Sequence, residues 1–302
     1  MNFWENYIKI LKELESQGAN IFCIGKSALR RPIFCVKIGN GSKKILIQYA
    51  IHAREHITFH LGVLQAKRLL RQNLDASVYF VLCSNPDGVC LATDGIKSIC
   101  RANQDVQNLI GHFPFFEPEK PLSPFYLQKL QKQLLKVNGS SDFSNWKASA
   151  TCVDLNVNFD ANWGKGKQNI FELSGQNYVG KFAESEPETK ALANFVKILK
   201  PAFTISYHSK GEVIFFQFGQ RGKRLLRDRK IANEISKTTG YLIRKARGSV
   251  GGFKDYCIQK LGIPSVTIEI GAEELSHPIG KENLVEIFEQ NKFVIEKSLA
   301  LL

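Results

Sequence analysis

The segment Ile45-Leu46-Ile47-Gln48-Tyr49-Ala50-Ile51-His52-Ala53-Arg54-Glu55-His56 decides the class of the fold. Its first seven residues, rich in isoleucine and broken only by Gln48, mark a buried strand. The character then changes at once, because His52, Arg54, Glu55 and His56 place four ionisable groups in five positions. Open α/β sheets put their chemistry in loops just beyond the carboxyl ends of buried strands. His52 and Glu55 can close on one metal ion if the strand gives way to a tight turn. A polar turn leading into a helix would use the same residues, so H-x-x-E alone leaves both readings open.

Upstream, the apolar spacing over residues 4–17 predicts a helix that stops at Gly18. Short strands are expected at 20–24, 33–37 and 44–50, with Gly39-Asn40-Gly41-Ser42 turning between the last two. Downstream, 57–70 reads as a helix and 77–82 as a buried strand closed by the turn tetrapeptide Asn85-Pro86-Asp87-Gly88. Residues 95–150 are the least regular, punctuated by Pro114, Pro118, Pro121 and Pro124. They read as a surface excursion without an apolar core of its own, holding one amphipathic helix at 125–137. A strand is expected at 152–156, and Ser185-Glu186-Pro187-Glu188 has the spacing of a capping box opening a helix to Lys200. Strands at 202–207, 213–218 and 265–270 and helices at 223–239, 253–260 and 282–302 complete the chain. Alternating strands and helices predict an α/β fold, a mixed, doubly wound central sheet flanked by helices, in a single domain over 1–302.

The 302 residues suffice for a large core, and 44% hydrophobic with 23% charged residues is ordinary for a soluble globular protein. No stretch approaches the ~20 apolar residues that span a bilayer. Met1-Asn2-Phe3-Trp4-Glu5-Asn6 shows no basic region followed by an apolar one, so no secretory signal is expected. Seven scattered cysteines without a C-x-x-C pair indicate neither a disulfide framework nor a cysteine zinc site, and a cytoplasmic setting is expected. The net charge of +13 would attract polyanions. Its basic residues are dispersed, however, and no arginine-rich arm or RNA-binding motif accompanies them, so no nucleic-acid partner is expected. An anionic small substrate would benefit from the same field.

Strand ends carry His52 with Glu55, then His208, then Glu269. Two imidazoles and one carboxylate suit a hydrolytic zinc with an open fourth position, and a second carboxylate could move the proton of the attacking water. Singly, His208 could be a satisfied strand-end histidine. Glu269 is odd in a β-branched strand, where carboxylates are rare unless paired or functional.

With these residues in view, the chain resembles the zinc carboxypeptidases. The likeness rests on His52-Ala53-Arg54-Glu55, Asn85-Pro86-Asp87-Gly88, Trp146-Lys147, Val153-Asp154-Leu155-Asn156, His208-Ser209, Gly251-Gly252 and Thr267-Ile268-Glu269, in the family's order. The resemblance implies an α/β sandwich binding one Zn2+, with His52, Glu55 and His208 as ligands and Glu269 as general base. Arg54 would help polarise the scissile carbonyl, and Ser209 would lie against the substrate. Where the family carries an arginine at the oxyanion, Lys147 keeps the charge without the fork.

Departures narrow the substrate. The Asn-Arg pair that clamps a terminal carboxylate in the carboxypeptidases is Asn156-Val157 here, and valine cannot donate. The family's tyrosine before Gly-Gly is unmatched: its place falls near Arg247, while Tyr241 reads as a strand residue. The pattern is similar to the bacterial γ-D-glutamyl-diaminopimelate peptidases, as in Trp146-Lys147-Ala148, Asp154-Leu155-Asn156-Val157-Asn158-Phe159, His208-Ser209-Lys210-Gly211-Glu212 and Gly252-Phe253-Lys254-Asp255-Tyr256. That resemblance implies an acidic peptide substrate, a muropeptide stem, whose carboxylate Asn156 and Arg247 would bind. An ordinary surface role for Arg247 remains open. Alternatives are a metallocarboxypeptidase acting on ordinary C-termini, an inactive cell-wall peptide-binding module, and an H-x-x-E-H site in which His56 binds zinc, a motif that belongs on a helix.

Overall fold

The computed structural model describes residues 1–302 apart from positions 114 and 118, so Pro114 and Pro118 lie outside the described residues. Among the described residues the strands are β1 (Asn20–Lys26), β2 (Pro32–Ile38), β3 (Lys44–Gln48), β4 (Ser77–Val81), β5 (Phe203–Ser209), β6 (Val213–Phe215), β7 (Leu242–Ile243) and β8 (Ser265–Ile270). They form one mixed sheet in the order β1-β2-β4-β3-β5-β8-β6-β7. The centre is parallel, β4 with β3, β3 with β5 and β5 with β8, while antiparallel pairs lie toward either side.

The isoleucine run becomes β3 because both its faces are covered. Ile45 and Ile47 pack with α1 (Phe3–Ser16) and α2 (Ile57–Leu69), and Leu46 points into the opposite layer. Burying each of these fully enclosed side chains is worth roughly 1.5–3 kcal/mol. A strand fixed this firmly makes a rigid base for the loop at its end. Further along the chain come α3 (Pro86–Asp94), α4 (Lys97–Gln107), α5 (Pro124–Asn138), α6 (Pro187–Leu199), α7 (Gly222–Thr239), α8 (Phe253–Leu261), α9 (Leu284–Asn291) and α10 (Val294–Leu299). Helices α6 and α8 cover the face that Leu46 enters, and α7, α9 and α10 join α1 and α2 on the other.

Several expectations are corrected. Asn85-Pro86-Asp87-Gly88 begins α3 instead of turning: the Asn85 side chain accepts from Gly88 N at 3.0 Å, and Pro86 occupies the first turn, where its missing N–H costs nothing. The strand expected at 152–156 is a 3-10 turn at Leu155–Val157, because Asp154 Oδ1 accepts from Asn156 N and curls the chain. No capping box forms at Ser185. Pro187 disfavours helical backbone at Glu186, so the helix starts at Pro187 and Glu186 takes the cap position. The strand expected through 218 ends at Phe215, and the C-terminal helix is broken between α9 and α10. Tyr241 stands just before β7, buried, with its hydroxyl donating to Gln290 Oε1 at 2.6 Å.

Among its described residues, the 95–150 stretch packs more closely than its composition suggests. Ile99, Ala102, Leu127, Leu130, Leu134, Phe143 and Trp146 form an apolar cluster that Leu29 and Ala53 join. Beneath it, fully buried Arg31 donates from Nη1 to Asp87 Oδ1 at 2.7 Å and from Nε to Asp105 Oδ2 at 3.0 Å. This pairing satisfies charges that would otherwise be costly to enclose, and it ties α3 and α4 to the sheet.

Candidate metal centre

Beyond β3 the chain makes one 3-10 turn, Ala53–Glu55, entered from an extended His52. Side chains three apart eclipse in a 3-10 turn, so His52 and Glu55 come to lie on one side of it. This is what their spacing requires for a shared ligand. The loop is held on three sides: Ala53 N donates to Lys147 O at 3.0 Å, Ala50 N to Thr58 Oγ1 at 2.9 Å, and Asn85 Nδ2 to Ile51 O at 3.1 Å. Asn85 Nδ2 also reaches Ala148 O at 3.2 Å, so one buried amide joins the His52 loop to the Trp146–Ala148 segment.

The neighbouring strand β5 ends at His208-Ser209 and brings the third donor. His52 Nδ1 lies 2.8 Å from Glu55 Oε1, His208 Nδ1 lies 3.0 Å from Glu55 Oε2, and the two Nδ1 atoms are 3.1 Å apart. All three side chains are buried, and one donor atom from each lies within 4.8 Å of the others. His56 is outside this cluster, its ring 6.5 Å from that of His60, so the H-x-x-E-H alternative gains no support from the geometry.

Each outer ring nitrogen faces a polar group. His208 Nε2 is 3.1 Å from Ser206 Oγ, and His52 Nε2 is 3.2 Å from Asp154 Oδ1, a close charge contact outside hydrogen-bond alignment. Such outer partners turn the inner nitrogens toward a metal as lone-pair donors. Two neutral imidazoles facing each other at this distance repel unless a cation or a proton lies between them. Nitrogens about 2.0–2.1 Å from one tetrahedral zinc would be about 3.3 Å apart, close to the observed spacing. The donor set therefore fits zinc.

The charges behave accordingly. Burial works against ionisation of Glu55, yet His52 and His208 hold its carboxyl well below the ordinary value. Burial likewise opposes a charged His52, but Glu55 and Asp154 outweigh it and raise the imidazole. Fully buried Asp154 is held well below the carboxylate range, against its burial, by Lys147 and His52.

Glu269, on β8, is the register partner of His208. It keeps some surface open to the hollow while being closely surrounded, and burial pushes its carboxyl up to about 7; His208 opposes the rise, Glu55 adds to it and Lys147 opposes it. Arg54, Lys147 and Ser209 line the same hollow as the donor cluster. Lys147 does so with its ammonium 2.7 Å from Asp154 Oδ2, so its first partner is the carboxylate behind His52. Ser209 N donates to Glu55 Oε2 at 3.2 Å, while its hydroxyl is buried without a partner. Asn156 and Arg247 line an adjoining cavity of about 780 Å³, which meets the first hollow at Phe215, Arg244 and Glu269.

Other residues of these hollows were given no role by the sequence alone, although Lys210 and Lys254 lie within matched motifs. Arg244, Lys245 and Lys254 line the cavity, and Lys210 and His277 border the donor hollow. Dispersed basic residues give no local signal, and convergence of distant loops shows only in the fold. Asp154 stood within a quoted motif, but its place behind His52 was not foreseen.

A mixed α/β sheet with two histidines and a glutamate converging at its carboxyl edge defines a class of metal-binding α/β proteins. Residues 4–291 match the zinc carboxypeptidase family, and the chain belongs to that family of zinc-dependent peptidases. Among curated relatives, it is 28% identical over 274 residues to γ-D-glutamyl-L-diamino acid endopeptidase 1 of Lysinibacillus sphaericus. That match covers 85% of this chain and 62% of the relative, so the chain spans less than two thirds of that protein's length. Among solved structures, bovine thrombin-activatable fibrinolysis inhibitor superposes with a TM-score of 0.69 at 19% identity, covering 98% of this chain and 94% of the other. The murein-tripeptide amidase of Escherichia coli O157 superposes with a TM-score of 0.56 at 17% identity, covering 95% and 94%. No helix among the described residues is long and apolar enough to cross a membrane.

Proposed function

We propose that the chain is a single-domain zinc peptidase that hydrolyses acidic peptidoglycan stem peptides at the γ-D-glutamyl-diaminopimelate bond. The observation that carries this reading is the basic cavity lined by Arg244, Lys245, Arg247 and Lys254, which opens beside Glu269. Its chemistry suits a leaving fragment rich in carboxylates. The curated relative from Lysinibacillus, whose name gives a γ-D-glutamyl-diamino acid specificity, supports the same bond.

His52, Glu55 and His208 would hold the zinc, which supplies a Lewis acid for the scissile carbonyl and a more acidic water. Glu269 takes the proton of the attacking water and returns it to the departing amine. A carboxyl raised to about 7 is well matched to both transfers near neutral pH. Arg54, with Nε buried and unpaired, is the cation best placed to meet charge growing on the carbonyl oxygen. Lys147 assists from its pairing with Asp154. Asn156 and Arg247, which line the cavity, take substrate carboxylate in place of the arginine that Val157 replaces. All seven cysteines carry free thiols, which suits the cytoplasmic setting that belongs to this reading.

The test is mass spectrometry of products after incubating zinc-loaded protein with L-Ala-γ-D-Glu-meso-diaminopimelate and, separately, with an ordinary tripeptide. Release of free diaminopimelate with the ordinary peptide intact is expected. Trimming of the ordinary peptide with the other untouched would mean a conventional carboxypeptidase.

A further inference from the structure

One polar residue interrupts the isoleucine run of β3. Gln48 is fully buried in the middle of the sheet, where an amide is costly unless its hydrogen bonds are made. Its side-chain partners are equally enclosed. Ser84 Oγ donates to Gln48 Oε1 at 2.9 Å, and Gln48 Nε2 donates to Ser206 Oγ, the side chain of its register partner on β5. Ser206 Oγ lies 3.1 Å from His208 Nε2, two residues along the same strand and on the same face. Four buried side chains, Ser84, Gln48, Ser206 and His208, thus form one chain of contacts that ends at the donor cluster.

The two candidate histidine ligands are backed by different chemistry. Asp154 behind His52 is held ionised and can only accept, which favours a proton on His52 Nε2. A serine hydroxyl both donates and accepts, so Ser206 by itself leaves the His208 proton free to sit on either nitrogen. In one order Gln48 Nε2 donates to Ser206 and Ser206 O–H donates to His208 Nε2, so the ring proton is on Nδ1, facing Glu55 Oε2 at 3.0 Å. That order closes Nδ1 to a metal. In the other, His208 Nε2–H donates to Ser206 Oγ, Ser206 O–H to the Gln48 carbonyl, and the Gln48 amide to Ser84 Oγ. A half-turn of the carboxamide exchanges its oxygen and nitrogen and leaves every neighbour in place. Among the described residues the Ser206 hydroxyl bonds only Gln48 and His208. Without an acceptor at position 48, its proton has only His208 Nε2 to go to.

We propose that Gln48 is a positioning residue for the metal centre: by accepting the Ser206 hydroxyl proton it keeps the His208 proton on Nε2 and so frees Nδ1 for the metal. This inference rests on His208 being a zinc ligand and deepens that reading.

The experiment is zinc affinity, measured by competition with a chromogenic chelator. Gln48→Leu should bind zinc about tenfold more weakly than wild type or worse. Gln48→Glu keeps the length and an acceptor, and should bind at least as tightly as wild type. In a Ser206→Ala background the two substitutions at Gln48 should give equal affinities, because the route to His208 is cut. A Gln48→Leu affinity within twofold of wild type overturns the proposal. So does a Gln48→Glu affinity as low as that of Gln48→Leu, or a difference between them that persists with Ser206→Ala. Should Gln48→Leu not fold, Gln48→Glu against wild type decides, and a tenfold fall overturns the role of Gln48. Zinc retained by His208→Ala would defeat the ligand set itself. Zinc lost from His208→Ala but bound normally by Gln48→Leu would defeat only the role of Gln48.

Discussion

His208 and Glu269 are direct register partners on the adjacent parallel strands β5 and β8. In-register residues of neighbouring strands project to the same side of a sheet. A candidate metal ligand and a candidate base are thus fixed relative to each other by backbone pairing and not by loop conformation.

Because of this pairing, Glu269→Gln should leave the donor cluster undisturbed while removing the proton carrier. The expected result is full zinc content by atomic absorption and a kcat on the γ-D-glutamyl tripeptide lower by about 10²–10⁴-fold. Turnover within twofold of wild type would remove Glu269 from the mechanism.

His208→Ala strips one donor from the cluster. The sheet beneath retains its apolar layers, so circular dichroism and the melting temperature of the metal-free form should stay close to wild type. Zinc retention after dialysis should be lost, and with it hydrolysis. A zinc-replete, active variant would contradict the assignment.

Asp154→Asn tests the outer layer of the site. The change weakens the hold on His52 Nε2 and leaves the Lys147 ammonium without its anion. Zinc affinity is expected to fall by about 10–100-fold, the usual penalty for losing such a partner. Competition with a chromogenic chelator measures it, and unchanged affinity would show that His52 needs no help from behind.

A pH effect on stability follows from His56 and His60. Burial, with the Lys281 ammonium nearby, lowers each imidazole from 6.5 to about 4, and His56 adds to the shift of His60. In the unfolded chain both take up protons near 6.5, whereas the folded protein resists until about 4. The unfolded state therefore binds more protons in that window, and stability is lost as pH falls through it. Urea unfolding at pH 7.5 and pH 5 should show a larger loss for wild type than for His56→Gln/His60→Gln. An identical loss in the two proteins would exclude the pair as the cause.

What the chain reveals before folding follows from how local each cause is. Strands β3 and β4 are legible because they are covered on both faces and read as apolar runs, and β5 and β8 because β-branched and aromatic residues recur at every second position. The candidate donors His52, Glu55 and His208 stand at the ends of these strands, which is where the sequence draws attention to them. Val153-Asp154-Leu155-Asn156 alternates like a strand, but the Asp154 carboxylate bonds the backbone two residues ahead and makes a turn. Asn85 and Pro86 serve a turn or a helix start equally well, and only the tertiary demand for Asn85 at Ile51 and Ala148 decides. Lys245, Arg244 and His277 reach the hollows from segments that no quoted motif includes, an arrangement that no local pattern encodes.

The small apolar cluster of the 95–150 stretch has an engineering consequence. Helix α4 packs on α3 as well as on α5, and the cluster reaches Ala53, while the candidate zinc donors and Glu269 stand at or just beyond the ends of the central strands. Insertions or tags grafted into the exposed turn after α5, around Gly139 and Ser140, would load the solvent side of that cluster and leave the strand ends that carry the candidate donors as they are.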